Sequence, residues 1–119
     1  MSQQCVLVAE DEMIIGVDLC DTVEEAGFEV AGPFDTASSA IDAIERRKPD
    51  LAILDVRLDD GEVYPLADAL IAANVPVIFH TGEVSPGEVA GRYPAAHALA
   101  KPCPPNQIIE TMREALAAA

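Results

Sequence analysis

A continuous apolar run, Leu51–Leu54, ends directly at an aspartate, Asp55. Four consecutive apolar residues are typical of a strand that is covered on both faces, as strands are in parallel sheets. The segment that follows, residues 56–61, is polar and ends in glycine, which predicts a loop. A carboxylate in this position either caps a following helix or lies where open α/β sheets bind their ligands.

Four further apolar runs predict strands, at residues 4–9, 28–34, 75–80 and 97–100. Segments with helical periodicity alternate with the strands, at residues 12–26, 35–48, 65–74, 85–93 and 106–118. Pro33 in the second strand favours an end or edge position in the sheet. The alternation predicts an α/β fold, a (βα)5 doubly wound parallel five-stranded sheet of flavodoxin-like type. Its expected strand order is 2-1-3-4-5.

Composition narrows the class of protein further. The 119 residues suit one domain spanning residues 1–119, and we expect no output domain. A formal net charge of −14 argues against nucleic-acid binding, because phosphate contacts need a basic patch. The absence of a signal peptide or a membrane-length apolar run predicts a cytoplasmic protein that does not bind membranes. Cys5, Cys20 and Cys103 lack metal-binding spacing and are expected to be reduced.

Polar side chains follow the ends of four predicted strands. They are Glu10, Asp11, Asp55, Thr81 and Lys101. Each has a simpler explanation as a cap, turn or surface residue, but together they predict a site at the carboxyl edge. Carboxylates about 5 Å apart repel by roughly 3 kcal/mol per pair at an effective dielectric near 20. An oxygen-rich cluster of this kind favours Mg²⁺, and a carboxylate beside Mg²⁺ and a lysine is suited to accept a phosphoryl group.

Four separated blocks carry a resemblance to a known family. They are EDE at residues 10–12, KPDLAILD at residues 48–55, Thr81-Gly82, and Lys101-Pro102. In this order and spacing they resemble the receiver domain (CheY-like) of two-component response regulators over essentially the whole chain. The resemblance implies phosphorelay signal transduction, with no enzymatic activity beyond self-phosphorylation by phosphotransfer and autodephosphorylation.

The resemblance also implies roles for individual residues. Asp55 would be the phosphoacceptor, and Glu10, Asp11 and Asp55 would hold Mg²⁺ together with the backbone carbonyl of Arg57. The phosphoryl group would be contacted by Thr81, Gly82 and Lys101, and the Lys101–Pro102 peptide bond would be cis.

The implied partners are a histidine kinase or histidine phosphotransfer protein and a downstream protein. The downstream protein would bind the face formed by the fourth helix, fifth strand and fifth helix. The glycine-rich segment at residues 85–93 is the expected mobile element. Arg57 and Glu83 flank the predicted pocket and are expected to tune the lifetime of the phosphoryl group.

The sequence departs from the family pattern in two places. The position of the usual switch aromatic is occupied by Ala98, and the loop at residues 58–61 lacks the common proline. Phe79-His80-Thr81-Gly82 is similar to the Phe-Ala-Thr-Gly signature of a subgroup of stand-alone alphaproteobacterial receivers, which also lack that aromatic. No role is assigned to His80 or His97.

Two alternative functions remain open. The first is a phosphatase with an aspartyl nucleophile, resembling the haloacid dehalogenase group. Such enzymes need a second aspartate two residues after the nucleophile, where this chain has Arg57. The second is a phosphorylation-independent interaction module in which the acidic pocket is a relic. The absent aromatic at Ala98 favours it, whereas the intact acidic residues, Thr81 and Lys101 argue against it.

Overall fold

The computed structural model describes residues 3–82 and 84–118. Its main sheet has five strands: β1 (Cys5–Ala9), β2 (Glu29–Phe34), β3 (Leu51–Leu54), β6 (Val77–Thr81) and β7 (His97–Ala100). Two further strands, β4 (Arg57–Leu58) and β5 (Gly61–Glu62), form a separate hairpin. The helices are α1 (Met13–Glu25), α2 (Ala37–Arg46), α3 (Tyr64–Ala72), α4 (Pro86–Arg92) and α5 (Pro105–Ala118).

The five main strands are parallel and lie in the order β2-β1-β3-β6-β7. Since β6 and β7 are the fourth and fifth predicted strands, the predicted fold and strand order are confirmed. β2 lies at an edge and is partly exposed, which agrees with the proline at position 33. The switch point falls between β1 and β3, where adjacent connections leave on opposite faces of the sheet.

Helices cover the sheet on both faces, which gives two hydrophobic layers. One layer joins α1 and α5 to the sheet through Leu19, Met112, Val8 and Ile53. The other joins α2, α3 and α4 to residues of opposite parity in the strands, such as Leu54 and Phe79. All four residues of β3 are buried, as the apolar run predicted.

The loop prediction for residues 56–61 is wrong in part, because the segment forms one arm and the turn of the β4–β5 hairpin. Val56 and Leu58 are buried and alternate with the exposed Arg57, so a short strand forms over the core. Gly61 has a φ of 125°, a conformation that favours glycine. The hairpin also reaches α2, since the Asp60 carboxylate accepts hydrogen bonds from the backbone N–H groups of its first turn at 2.8 and 3.1 Å.

The ends of the helices follow the sequence signals closely. Gly27 and Asn74 have positive φ angles just after α1 and α3, and the Thr36 hydroxyl accepts a hydrogen bond from Ser39 N–H at the start of α2. Strand and helix boundaries differ from prediction by a residue or two, as helix ends commonly do. Within the described ranges, no helix combines the length and apolar character that crossing a membrane requires.

Candidate functional site: an acidic pocket at the carboxyl edge

Backbone hydrogen bonds bring the acidic strand ends together. Asp55 N–H donates to the carbonyl of Ala9 at 2.9 Å, and Glu10 N–H donates to the carbonyl of Phe34 at 2.8 Å. These bonds hold the ends of β1, β2 and β3 in register beyond the regular sheet. The carboxylates that follow β1 and β3 therefore emerge side by side at the switch point.

Glu10, Asp11 and Asp55 form a compact acidic cluster. Each offers one carboxylate oxygen, and these atoms all lie within 4.8 Å of one another. Glu10 is 1% exposed and Asp55 is 8% exposed, while Asp11 is half-buried. Because buried charges are poorly screened, the cluster needs a cation or a proton to offset its mutual repulsion.

Lys101 supplies part of that charge from the end of β7. Its Nζ lies 2.6 Å from Glu10 Oε1 and 2.9 Å from Asp55 Oδ2. Lys101 N–H donates to the carbonyl of Thr81 at 2.8 Å, which fixes the lysine beside the end of β6. One ammonium group thus contacts two of the three carboxylates, and the cluster keeps an excess of negative charge.

The charge excess is visible in the ionisation of the cluster. Burial, then the neighbouring Asp55, raises the pKa of Glu10 to about 8, although Lys101 opposes the shift. Burial also opposes ionisation of Asp55, but its hydrogen bonds with Glu10 and Lys101 outweigh this effect and lower its pKa. At neutral pH the proton therefore resides mainly on Glu10, and Asp55 carries the negative charge beside Lys101.

The donor set suits a hard divalent cation. Glu10 Oε1 is buried, and the contact recorded for it among the described residues is the ammonium group of Lys101 at 2.6 Å. The atoms available in the cluster are carboxylate oxygens, which Mg²⁺ prefers over softer metals. Arg57 also borders the pocket, and its backbone N–H donates a long hydrogen bond of 3.4 Å to Asp55 Oδ1.

The cluster opens into a cavity of about 80 Å³ that includes Asp11, Asp55, Thr81, Gly82 and Lys101 in its lining. At roughly 30 Å³ per water molecule, this volume suits one phosphoryl group. The Thr81 hydroxyl does not point at Asp55, because it donates to the carbonyl of Val84 at 2.7 Å. Gly82 lies against the lysine, since a Cβ there would be 3.5 Å from Lys101 Cδ.

Other predicted features are also placed by the structure. The Lys101–Pro102 peptide is cis, and so is Gly32–Pro33, which the sequence analysis did not anticipate. Cys5, Cys20 and Cys103 are free thiols. Glu83 lies outside the described residues.

An aromatic side chain that the sequence analysis missed lies near the position of the absent switch residue. Ala98 pairs with Phe79 across β6 and β7. The ring of Tyr93, just after α4, lies 5.3 Å from that of Phe79 and 5.7 Å from that of Tyr64. Its hydroxyl donates to Asp68 Oδ1 at 2.8 Å, which ties the end of α4 to α3. No local motif marks Tyr93, because its partners lie in other elements.

Fold and site together define a class: a flavodoxin-like α/β domain whose switch point carries a lysine-paired acidic pocket. A sequence profile of the response regulator receiver domain matches residues 6–113, and the chain belongs to this family. Receiver domains act in two-component signalling, generally with Mg²⁺.

Individual relatives agree with the family assignment. The phyllosphere-induced regulator PhyR of Methylorubrum extorquens is 33% identical over 114 residues, which cover 93% of this chain and 43% of the relative. The transcriptional regulatory protein PdtaR of Mycobacterium tuberculosis is 38% identical over 69 residues, 58% of this chain and 31% of the relative. This chain therefore spans less than half the length of these two curated relatives.

Solved structures show the same fold. The receiver domain of Erythrobacter litoralis PhyR superposes with a TM-score of 0.86 at 30% sequence identity. The match covers 98% of this chain and 92% of that domain. The similarity therefore extends over nearly the whole chain.

Proposed function

We propose that this chain accepts a phosphoryl group from a phosphohistidine onto Asp55 in a Mg²⁺-dependent reaction and thereby switches a protein-interaction surface. The observation that carries the proposal is the contact of Lys101 Nζ with both Asp55, at 2.9 Å, and Glu10, at 2.6 Å. This arrangement keeps Asp55 ionised next to a cation, in a cavity that fits one phosphoryl group.

The chain's own residues position the reaction. An Asp55 carboxylate oxygen forms a bond to phosphorus as the bond from phosphorus to the donor imidazole nitrogen breaks, and the imidazole then takes a proton from water. Lys101 offsets charge on the transferring oxygens. Glu10, Asp11, Asp55 and the backbone carbonyl of Arg57 would hold Mg²⁺, which supplies further charge neutralisation when bound.

Thr81 provides the connection from the phosphoryl group to the rest of the molecule. In this structure its hydroxyl holds the loop before α4 through Val84. A phosphoryl group on Asp55 presents new acceptor oxygens, to which Thr81 and the backbone around Gly82 can donate. Loss of the Thr81–Val84 bond releases the loop, so phosphorylation favours a second position of α4.

The surface that changes is the face formed by α4, β7 and α5. α4 is short, with seven residues, and buries only Val89 within its span. Tyr93 holds its end to α3 through Asp68 and Tyr64. We place the downstream partner on this face, and we assign to Tyr93 the packing change that the missing aromatic at Ala98 cannot make.

We place the phosphodonor at the start of α1, which follows the acidic end of β1. Met13, Ile14 and Val17 are 54%, 80% and 44% exposed and lie in the first turns of α1, a few residues after Glu10 and Asp11. An exposed apolar patch beside a reactive group is typical of a protein-binding surface. A helical partner that covers this patch would bring its phosphohistidine to Asp55.

Phosphorylation with a small acyl phosphate such as acetyl phosphate, with and without Mg²⁺, tests the proposal. We expect the native chain to incorporate one phosphoryl group per chain, and Asp55→Asn to incorporate none, because an amide cannot replace the nucleophilic carboxylate. Asp59→Asn is the matched control, since Asp59 is an exposed aspartate in the turn of the neighbouring β4–β5 hairpin, and it should label like the native chain. Undiminished labelling of Asp55→Asn would contradict the site assignment.

A further inference from the structure

A second cavity lies between α1 and α5, next to the acidic pocket. Its volume is about 580 Å³, within the range of roughly 300–1,000 Å³ that is usual for small-molecule sites. Its walls are mainly apolar, and they are formed by Ile15, Leu19, Pro102, Cys103, Pro105 and Ile108. Glu12, Gly82 and Lys101 line both cavities, so the larger one is continuous with the edge of the acidic pocket.

His80 also lines this cavity, and it is a buried polar side chain without a partner. The residue is 6% exposed, and neither Nδ1 nor Nε2 makes a hydrogen bond with any described residue. Ile78, two positions earlier in β6, packs in the layer with α1 and α5, so alternation directs His80 to the same face of the sheet. Buried polar groups in native proteins are nearly always hydrogen-bonded, which indicates a missing partner on this side.

The imidazole is neutral near pH 7. Burial, assisted by the charge of Lys101 and opposed by Asp55, lowers the pKa of His80. A neutral imidazole offers one donor and one acceptor, which matches a hydroxyl group.

The charges around the cavity restrict what can enter it. The carboxylates of Glu12 and Asp18 lie at its exposed mouth and disfavour an anion. The mainly apolar walls disfavour any charged group beside His80, because a charge there would lose its hydration without a partner. An uncharged molecule with an apolar body satisfies both restrictions.

We infer that the cleft between α1 and α5 is a binding site for an uncharged small molecule, in which an apolar ring or branched chain packs on Leu19 and Ile108 and one hydroxyl group bonds His80. This site adjoins the phosphoacceptor pocket, with which it shares Lys101, and extends from it between α1 and α5. The inference does not depend on phosphorylation of Asp55, and its test uses no phosphodonor.

Three matched probes test the inference by NMR titration of the native chain: 4-methylphenol, toluene and 4-methylbenzoate. We expect 4-methylphenol to give saturable shifts confined to residues that line the cleft. Toluene, which lacks the hydroxyl, should bind about tenfold more weakly, the ratio expected for one hydrogen bond to a buried group. The anionic 4-methylbenzoate should give no saturable shifts.

Two variants make the result specific. His80→Phe keeps a planar ring and removes both nitrogens, so it should bind 4-methylphenol and toluene equally. Cys103→Phe narrows the cleft from the loop before α5 and should abolish binding of both probes. This second variant keeps the test decisive if His80→Phe, which changes a buried strand residue, does not fold. Equal affinity of the native chain for 4-methylphenol and toluene, shifts scattered over the surface, or unaltered binding by Cys103→Phe would overturn the inference.

Discussion

Burial and the neighbouring Asp55 carboxylate both raise the pKa of Glu10, and Lys101 offsets only part of this rise. The side chain is 1% exposed and its nearest cation is shared with Asp55. A proton on Glu10 and a divalent cation in the cluster are therefore alternative ways to offset the same charge. The state of this residue links pH, metal binding and stability.

The pH dependence of stability follows from the direction of each shift. The raised pKa of Glu10 gives stability that is present below 4.5 and lost as pH rises through about 8. The lowered pKa of His80 gives stability that is present above pH 6.5 and is lost as the pH falls below that value. The lowered pKa of Asp55 likewise gives stability that is lost as the pH falls below 3.8. In EDTA, the urea midpoint of the native chain should fall between roughly pH 6.5 and 8.

Glu10→Gln is the variant that isolates this effect. It cannot ionise at this position, so its urea midpoint should change less over the same interval in EDTA. Mg²⁺ should flatten the profile of the native chain, because a bound cation stabilises the ionised carboxylate. A native profile that is flat in EDTA, or a Gln variant with the native slope, would show that Glu10 does not hold the proton.

At the scale of elements, the contact between α3 and α4 is made chiefly by side chains far apart in sequence. Tyr93 stacks on Tyr64, the guanidinium of Arg92 lies 3.7 Å from the centre of the Tyr64 ring, and the Tyr93 hydroxyl bonds Asp68. Such stacked rings contribute about 0.5–1.5 kcal/mol beyond their buried area. The short α4 depends on these contacts more than on its own seven residues.

Substitutions at Tyr93 separate the hydroxyl from the ring. Tyr93→Phe removes only the bond to Asp68 and should lower the free energy of unfolding by about 0.5–1 kcal/mol, since the bond is exposed. Tyr93→Ala also removes the ring and should lower it by about 2–3 kcal/mol. Urea denaturation measures both, and hydrogen exchange should show faster opening of α4 in Tyr93→Ala. Equal losses for the two substitutions would mean that the ring contributes nothing.

The sequence predicts elements well where one pattern runs for several residues. Leu51–Leu54 and the glycine after α1 are sufficient to place a buried strand and a helix end. The β4–β5 hairpin could not be predicted in this way, because strands of two residues are too short to show a period. The Tyr93–Asp68 bond spans 25 residues and depends on how α3 and α4 approach each other.

At the scale of the whole molecule, the doubly wound topology determines where chemistry is possible. Strands that run in parallel deliver their ends to one edge, so Glu10, Asp55 and Lys101 could be grouped from sequence alone. Their protonation and the partner of Thr81 could not, because these depend on burial and on distances of a few ångströms. A chain with a net charge of −14 also concentrates three carboxylates at this edge, so we expect a divalent cation bound there to stabilise the fold.

Mg²⁺ should therefore stabilise the native chain by mass action. A ligand that binds only the folded state adds about 2.7 kcal/mol at a hundred times its dissociation constant. Thermal unfolding over a Mg²⁺ titration should show a rising midpoint, and the combination of Glu10→Gln with Asp11→Asn should shift the titration to much higher concentration. Asp59→Asn has the same loss of charge as one of these changes and should behave like the native chain. Identical titrations for all variants would place the metal elsewhere.

The location of the phosphoryl group tests the central claim most directly. After incubation with acetyl phosphate and Mg²⁺, borohydride reduces an aspartyl phosphate to homoserine, and peptide mass spectrometry identifies the reduced residue. We predict that homoserine is found at position 55 and at no other aspartate, and that Lys101→Met lowers its yield strongly. Reduction at another aspartate, or none in a folded native chain with Mg²⁺ bound, would contradict the account.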